Sequence, residues 1–248
     1  MRSEPALVLH PMLARGRAMT PLLDALSGPL AARAIDLPGH GRAPDWDGDR
    51  DYAETARDLI VETLEEPAHL IGHSYGAYLA LRLAVDRPDL VLSLTLYEPV
   101  FFAVAGHSDR ALSEDYEQEA AKFIEPLITR DLEGAAKAFI AIWGGGVPWA
   151  AMREEQKYYV TERMPLVGAS QPSLVSDSGA VWERVQTIKI PCLLVSGERS
   201  PAITGAILDA LQSKLSRASR AQIAGAGHMG AITHAQAVAS EILGFLKD

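Results

Sequence analysis

A single cysteine, Cys192, excludes an intramolecular disulfide, and its place inside the apolar run Pro191-Cys192-Leu193-Leu194-Val195 marks it as a buried, inert thiol. Cations are in deficit: 23 Lys and Arg against 32 Asp and Glu give a formal net charge of -9. That argues against nucleic acid as a partner, because phosphate binding relies on clustered Lys and Arg. Gly, Pro and charged residues interrupt every apolar run short of the about 18 residues that a membrane-spanning helix needs. The start of the chain shows neither a long hydrophobic region nor a small-residue cleavage site. The expectation is a cytoplasmic protein with no membrane or nucleic-acid partner; nothing in the sequence reports oligomeric state. The histidines are scattered without the paired spacing of a metal site, and Rossmann and phosphate-loop signatures are missing, so neither metal nor cofactor is expected.

What is present is an ordinary globular composition, 48% apolar and 22% charged, over a length that fits one large α/β domain with an insertion. Short apolar runs bounded by Gly or Pro alternate with helical periodicity, the pattern of a parallel sheet flanked by helices. The expected strands are Ala6-Leu9, Ala31-Ile35, Ala68-Ile71, Val91-Leu96, Cys192-Val195 and Ala218-Ile223. Helices are expected over Met19-Leu26, Tyr52-Leu64, Ala77-Val85, Gly205-Leu215 and Ala235-Leu246. In the third, Ala77, Ala80, Leu81 and Ala84 fall at i, i+3, i+4 and i+7, a stripe of small residues suited to close packing on a sheet. From Phe101 to about Trp182 the alternation stops and only amphipathic segments remain, the last running from Met152 to Arg163. The expected organisation is therefore a core of residues 1–100 and 183–248 and a helical cap insertion of residues 101–182. Aromatic residues of the insertion, among them Phe101, Phe102, Trp143, Trp149, Tyr158 and Tyr159, serve either its own core or a substrate pocket.

The string Gly72-His73-Ser74-Tyr75-Gly76 lies between an expected strand and an expected helix. Glycines two positions either side of a serine let the backbone turn sharply and expose Oγ, and the helix that follows sets its free N–H groups beneath the site. Ser74 is the candidate nucleophile. A serine hydroxyl needs a general base, and His228 follows the last expected strand on the loop Gly225-Ala226-Gly227.

Four segments in order, Leu7-Val8-Leu9-His10-Pro11, Asp36-Leu37-Pro38-Gly39-His40-Gly41, the serine turn, and Gly225-Ala226-Gly227-His228-Met229, resemble the α/β-hydrolase superfamily over essentially the whole chain. The resemblance implies an α/β-hydrolase fold with a six-stranded parallel sheet, since the first segment starts within ten residues and leaves no room for two earlier strands. It also implies an oxyanion hole. The first segment usually reads His-Gly; here Pro11 has no N–H to give, so the donating amide passes to Met12, partnered by that of Tyr75. His10 and His40 are expected to shape loops rather than transfer protons.

The third triad member departs from the pattern. The superfamily places an aspartate three residues after the glycine of Ser196-Gly197, where this chain has Ser200. Either the acid has moved, with Glu98 at the end of the preceding strand the favoured candidate and Glu198 the second, or the machinery is incomplete. The resemblance implies a serine hydrolase that cleaves a small carboxylic ester, lactone or thioester through an acyl-enzyme. The alternatives are a ligand-binding homologue with weak or vestigial hydrolysis, and cofactor-free haloperoxidase or carbon-carbon hydrolase chemistry.

Overall fold

The structure, a computed structural model, describes residues 3–247; residues 1, 2 and 248, at the ends of the expected core segments, lie outside the described residues. Among the described residues six strands, β1 (Glu4–Leu9), β2 (Leu30–Ile35), β3 (Ala68–His73), β4 (Val91–Tyr97), β5 (Cys192–Gly197) and β6 (Ala218–Ile223), form one sheet in the order β2-β1-β3-β4-β5-β6. Every pairing is parallel, as expected. Among the described residues ten α-helices connect and cover it: α1 (Thr20–Leu26), α2 (Tyr52–Thr63), α3 (Tyr75–Asp86), α4 (Arg110–Ile128), α5 (Leu132–Trp143), α6 (Glu154–Val175), α7 (Val181–Arg184), α8 (Ala202–Lys214), α9 (Gly230–Thr233) and α10 (Ala235–Phe245).

Strand alternation divides the interior. Leu7, Leu9, Leu70, Leu94 and Leu96 point to one face and pack against α2, α3 and α8, while Ala6, Val8, Ile71, Leu193 and Val195 meet α1 and α10 on the other. Both faces are therefore dry, and the strand carboxyl ends are left as the place where side chains can meet a ligand. Between β4 and β5 the described chain runs through α4, α5, α6 and α7 without a strand. The last amphipathic segment extends further than expected: α6 begins at Glu154 and continues past Arg163 to Val175. Pro165 and Pro172 lie inside it. Burial of Met164, Leu166, Val167 and Leu174 carries the helix through both.

Strand ends also run past the apolar runs that announced them. β1 begins at Glu4, where it pairs with Leu30 of β2, and Pro5 lies before β3 joins at Ala6, so its missing N–H costs no bond to that neighbour. α3 starts at Tyr75, directly after the serine.

Candidate active site

The turn from β3 into α3 is tight. Ser74 sits at φ 57 and ψ -115, a left-handed conformation that an L-residue holds only when its surroundings enforce it. The enforcement is visible: Ser74 N–H donates to the Tyr97 carbonyl at 2.9 Å, and the Ser74 carbonyl accepts from Ala77 and Tyr78 at 3.0 and 3.1 Å. A Cβ on Gly76 would collide with the Leu9 carbonyl, and one on Gly72 with the Ala77 backbone. Only glycine lets the helix start this close to β1 and β3.

His228 follows β6 on a loop that β3 and β4 pin from below. His73 Nε2 donates to the His228 carbonyl at 2.7 Å, and Tyr97 Oη donates to the Gly227 carbonyl at 2.8 Å. Neither residue was singled out from sequence, although His73 lies inside the serine motif and Tyr97 directly precedes Glu98. Burial, and after it the neighbouring His228, holds the His73 ring well below the usual histidine range, so it is a neutral donor. The Trp143 ring stands edge-on to His228 at 4.6 Å between centroids.

The two acidic candidates part company here. Glu98 is fully buried, at φ 47, and its Oε2 accepts from His228 Nδ1 at 2.7 Å. Its Oε1 accepts from the Gly197 N–H at 2.7 Å and from the Ser200 hydroxyl. The serine at position 200 thus serves as a donor to the carboxylate at 98. An aspartate there would set two anions face to face. Glu198 is exposed and turns away: its Oε2 accepts from the Gly225 N–H at 2.7 Å and shapes the loop. With Nδ1–H directed at Glu98, the tautomer of His228 leaves Nε2 as the free lone pair.

On the opposite side, the loop after β1 is held by two histidines. His10 Nε2 accepts from the Leu37 N–H at 3.0 Å while its Nδ1 donates to the Pro11 carbonyl; His40 Nε2 accepts from the Leu13 N–H at 3.1 Å while its Nδ1 donates to the Pro38 carbonyl. Each bond set requires the neutral ring, and burial lowers the pKa of His10 to about 4 and of His40 to about 3. His10 and His40 are loop braces, as expected. One consequence concerns the amides: Pro11 has none, and that of Leu13 is committed to His40. The Met12 N–H carries no bond among the described residues, and Tyr75, first residue of α3, stands where helix amides lack an internal acceptor.

Ser74 and His228 line one cavity of about 470 Å³, walled by Met12, Phe139, Trp143 and Tyr159. A second, apolar cavity of about 30 Å³ meets it at Ser74 and Met12 and extends past Tyr75, Phe102 and Leu174. Of the other aromatic candidates, Phe101 is core and Tyr158 is exposed. Cys192 is buried and its thiol pushed up to about 12, consistent with an inert role. No group of three or more metal-ligating side chains occurs among the described residues.

The alpha/beta hydrolase family model matches residues 7–241. The chain belongs to that family. A pimeloyl-[acyl-carrier protein] methyl ester esterase of Xanthomonas campestris pv. campestris is 26% identical over 253 residues, covering 98% of this chain and 95% of that protein. The dihydrolipoyllysine-residue acetyltransferase component of the acetoin cleaving system of Cupriavidus necator is 36% identical over 111 residues, 42% of this chain; the match spans only 30% of that protein's length. Among solved structures, the enol-lactonase from Burkholderia xenovorans LB400 superposes with a TM-score of 0.71 at 18% identity, covering 100% of this chain and 93% of that one. No helix among the described residues is long and apolar enough to cross a membrane.

Proposed function

We propose that this member of the alpha/beta hydrolase family cleaves a carboxylic ester, lactone or thioester through an acyl-enzyme on Ser74. The observation that carries the proposal is the 2.7 Å bond from His228 Nδ1 to the buried Glu98, beside a strained serine that faces the same cavity. His228 Nε2 takes the Ser74 proton as Oγ attacks the carbonyl carbon, and Glu98 stabilises the imidazolium that forms. The amides of Met12 and Tyr75 receive the developing oxyanion. The bond to the leaving oxygen or sulfur then breaks as His228 returns the proton to it, and water, activated by the same ring, releases the acid. Residues 101–182 act in this scheme as a cap that encloses the carbonyl. Esterase activity in the Xanthomonas relative, which aligns over nearly both full lengths, supports the class of reaction.

The vestigial reading rested on the missing acid at position 200. The carboxylate reaches His228 from Glu98 instead, with Ser200 supporting it, so that argument loses its ground. The test is a panel of p-nitrophenyl esters on purified protein together with fluorophosphonate labelling and peptide mass spectrometry. Turnover should be abolished, by at least about 10⁴-fold in kcat, in Ser74→Ala, and the label should reside on the peptide that contains Ser74. A folded protein that turns over none of the panel and takes no label refutes the proposal.

A further inference from the structure

The two cavities that meet at Ser74 are unlike, and the difference assigns the two halves of a substrate. His228 lines the large cavity but not the small one, and Tyr75 lines the small one but not the large. The atom that leaves must take its proton from His228 Nε2, so it has to lie within about 2.6–3.2 Å of that nitrogen. The leaving group therefore occupies the large cavity. The acyl group, on the far side of the carbonyl carbon, is left with the small pocket, which is apolar and walled by Val100, Phe102, Tyr116 and Leu174. At about 30 Å³ against about 470 Å³, it suits a short acyl chain.

The large cavity carries an unusual charge. In a chain of net charge -9, its ionised rim consists of Arg15, Arg17 and Arg153 against one carboxylate, Glu155. Elsewhere some arginines find acids, as Arg50 meets Asp58, Arg57 and Arg184 meet Asp86, and Arg82 meets Asp51, while others, such as Arg33 and Arg163, bond backbone carbonyls. The rim arginines have no acid. Arg15 lies over the Tyr159 ring at 4.5 Å, Arg153 Nε reaches Gln156 at 3.3 Å, and Arg17 is exposed. None of the three has an ion-pair partner among the described residues. Guanidinium groups on a concave rim raise the local concentration of anions and present paired donors to carboxylate or phosphate.

We infer that the preferred substrate is a short-chain acyl ester or thioester of an anionic alcohol or thiol, with Arg15, Arg17 and Arg153 receiving the anion of the leaving group. The inference rests on the hydrolase reading of Ser74 and deepens it. Attack by Ser74 Oγ forms the acyl-enzyme; the carbon–oxygen or carbon–sulfur bond breaks; and the anionic alcohol or thiol departs with the proton from His228. This orientation is the reverse of one in which a methyl ester loses its smallest fragment.

The experiment compares matched pairs that differ in charge: 4-acetoxybenzoate with phenyl acetate for a carboxylate-bearing alcohol, and acetyl-coenzyme A with S-acetyl-N-acetylcysteamine for a phosphate-bearing thiol. We expect the anionic member of at least one pair to show about tenfold higher kcat/KM, the size that two or three exposed charge contacts provide. Whichever pair shows it names the anion. In Arg17→Gln/Arg153→Gln the ratio of anionic to neutral kcat/KM should fall towards one, and Arg17→Lys/Arg153→Lys should restore part of it. A folding defect would lower both members together and leave the ratio alone. Among p-nitrophenyl esters, acetate should exceed octanoate. Equal rates within both pairs, a ratio that survives the double Gln substitution, or a preference for octanoate overturns the inference while leaving Ser74 catalysis intact. Loss of turnover on every substrate would instead refute the proposed function itself.

Discussion

Glu98 accepts three hydrogen bonds in full burial, whereas Arg153, on the rim of the neighbouring cavity, is exposed and shares one weak contact with Gln156. The contrast extends to the regions around them. At the strand ends, Leu13, Ser74 and Glu98 all hold left-handed backbone, and His10, His40, His73 and Ser200 each spend a side chain on fixing a loop or the carboxylate. The rim, shared between the loop after β1 and the start of α6, has neither strained backbone at its arginines nor buried bonds to them. Groups that must stay within tenths of an ångström through a proton transfer need over-determination. Groups that sort substrates by charge need only be present and unpaired. Substitutions in the first region should therefore act on kcat, and those on the rim on the ratio between substrates.

The sharpest way to break this division is Glu98→Gln. The amide keeps the size of the side chain but removes the charge that stabilises the imidazolium, and it offers an N–H2 where Gly197 and Ser200 already donate. Loss of kcat should approach about 10⁴-fold, the order seen when a triad carboxylate becomes an amide. KM should move little. A thermal melt is needed beside the kinetics, since a buried unsatisfied donor also costs stability. Wild-type turnover in a folded Glu98→Gln protein would remove Glu98 from the machinery and with it the claim that strand-end geometry controls the chemical step.

A weaker but broader effect is expected from acid. His10 and His40 have pKa values lowered from 6.5 to about 4 and about 3 by burial, and His73 is lowered in the same direction. A depressed pKa means that the unfolded chain binds the proton first. The stabilisation from these neutral rings is complete above about pH 6.5 and is lost as pH falls towards the folded values, by up to about 1.4 kcal/mol per pH unit for each ring. Between pH 6.5 and 5 most carboxylates are still ionised in both states, so a steep fall in melting temperature over that window reports the histidines. A flat melting temperature from pH 7 to 5 would show that the strand ends do not depend on neutral histidine braces.

The same division governs what the sequence makes legible. The serine turn could be read because two glycines around a serine, between a strand and a helix, satisfy one steric problem and few others. The four inner strands could be read because a sheet covered on both faces demands apolar runs, whereas the edge strands β2 and β6 are half-exposed. The rim could not: Arg15, Arg17 and Arg153 are brought together by the insertion folding over the loop after β1, and no local pattern encodes that approach. Nor could the full length of α6, where tertiary burial overrides Pro165 and Pro172. Glu98 and Glu198 stayed in competition for a related reason. Glu98 and His228 are 130 positions apart, and only the side-by-side placement of β3, β4 and β5 decides which carboxylate faces inward.

The smallest effect, and the one that sharpens the comparison most, belongs to Glu198→Gln. Glu198 follows the glycine that ends β5, two residues before Ser200, a position that made it the second candidate for His228 after Glu98. Its carboxylate is exposed and already occupied by the Gly225 N–H at 2.7 Å. Glutamine retains an oxygen that can accept that same bond, so the loop keeps its shape, and substitution of an exposed side chain of this kind shifts stability by no more than about 0.5 kcal/mol. The expected result is kcat within about twofold of wild type, with an unchanged ratio between anionic and neutral esters, since Glu198 touches neither His228 nor the rim. A collapse of kcat in Glu198→Gln at unaltered melting temperature would mean that the loop swings this carboxylate onto His228 during turnover. The buried Glu98 would then be a structural acid, and the division between fixed strand ends and an adaptable rim would have to be redrawn through the loop after β5.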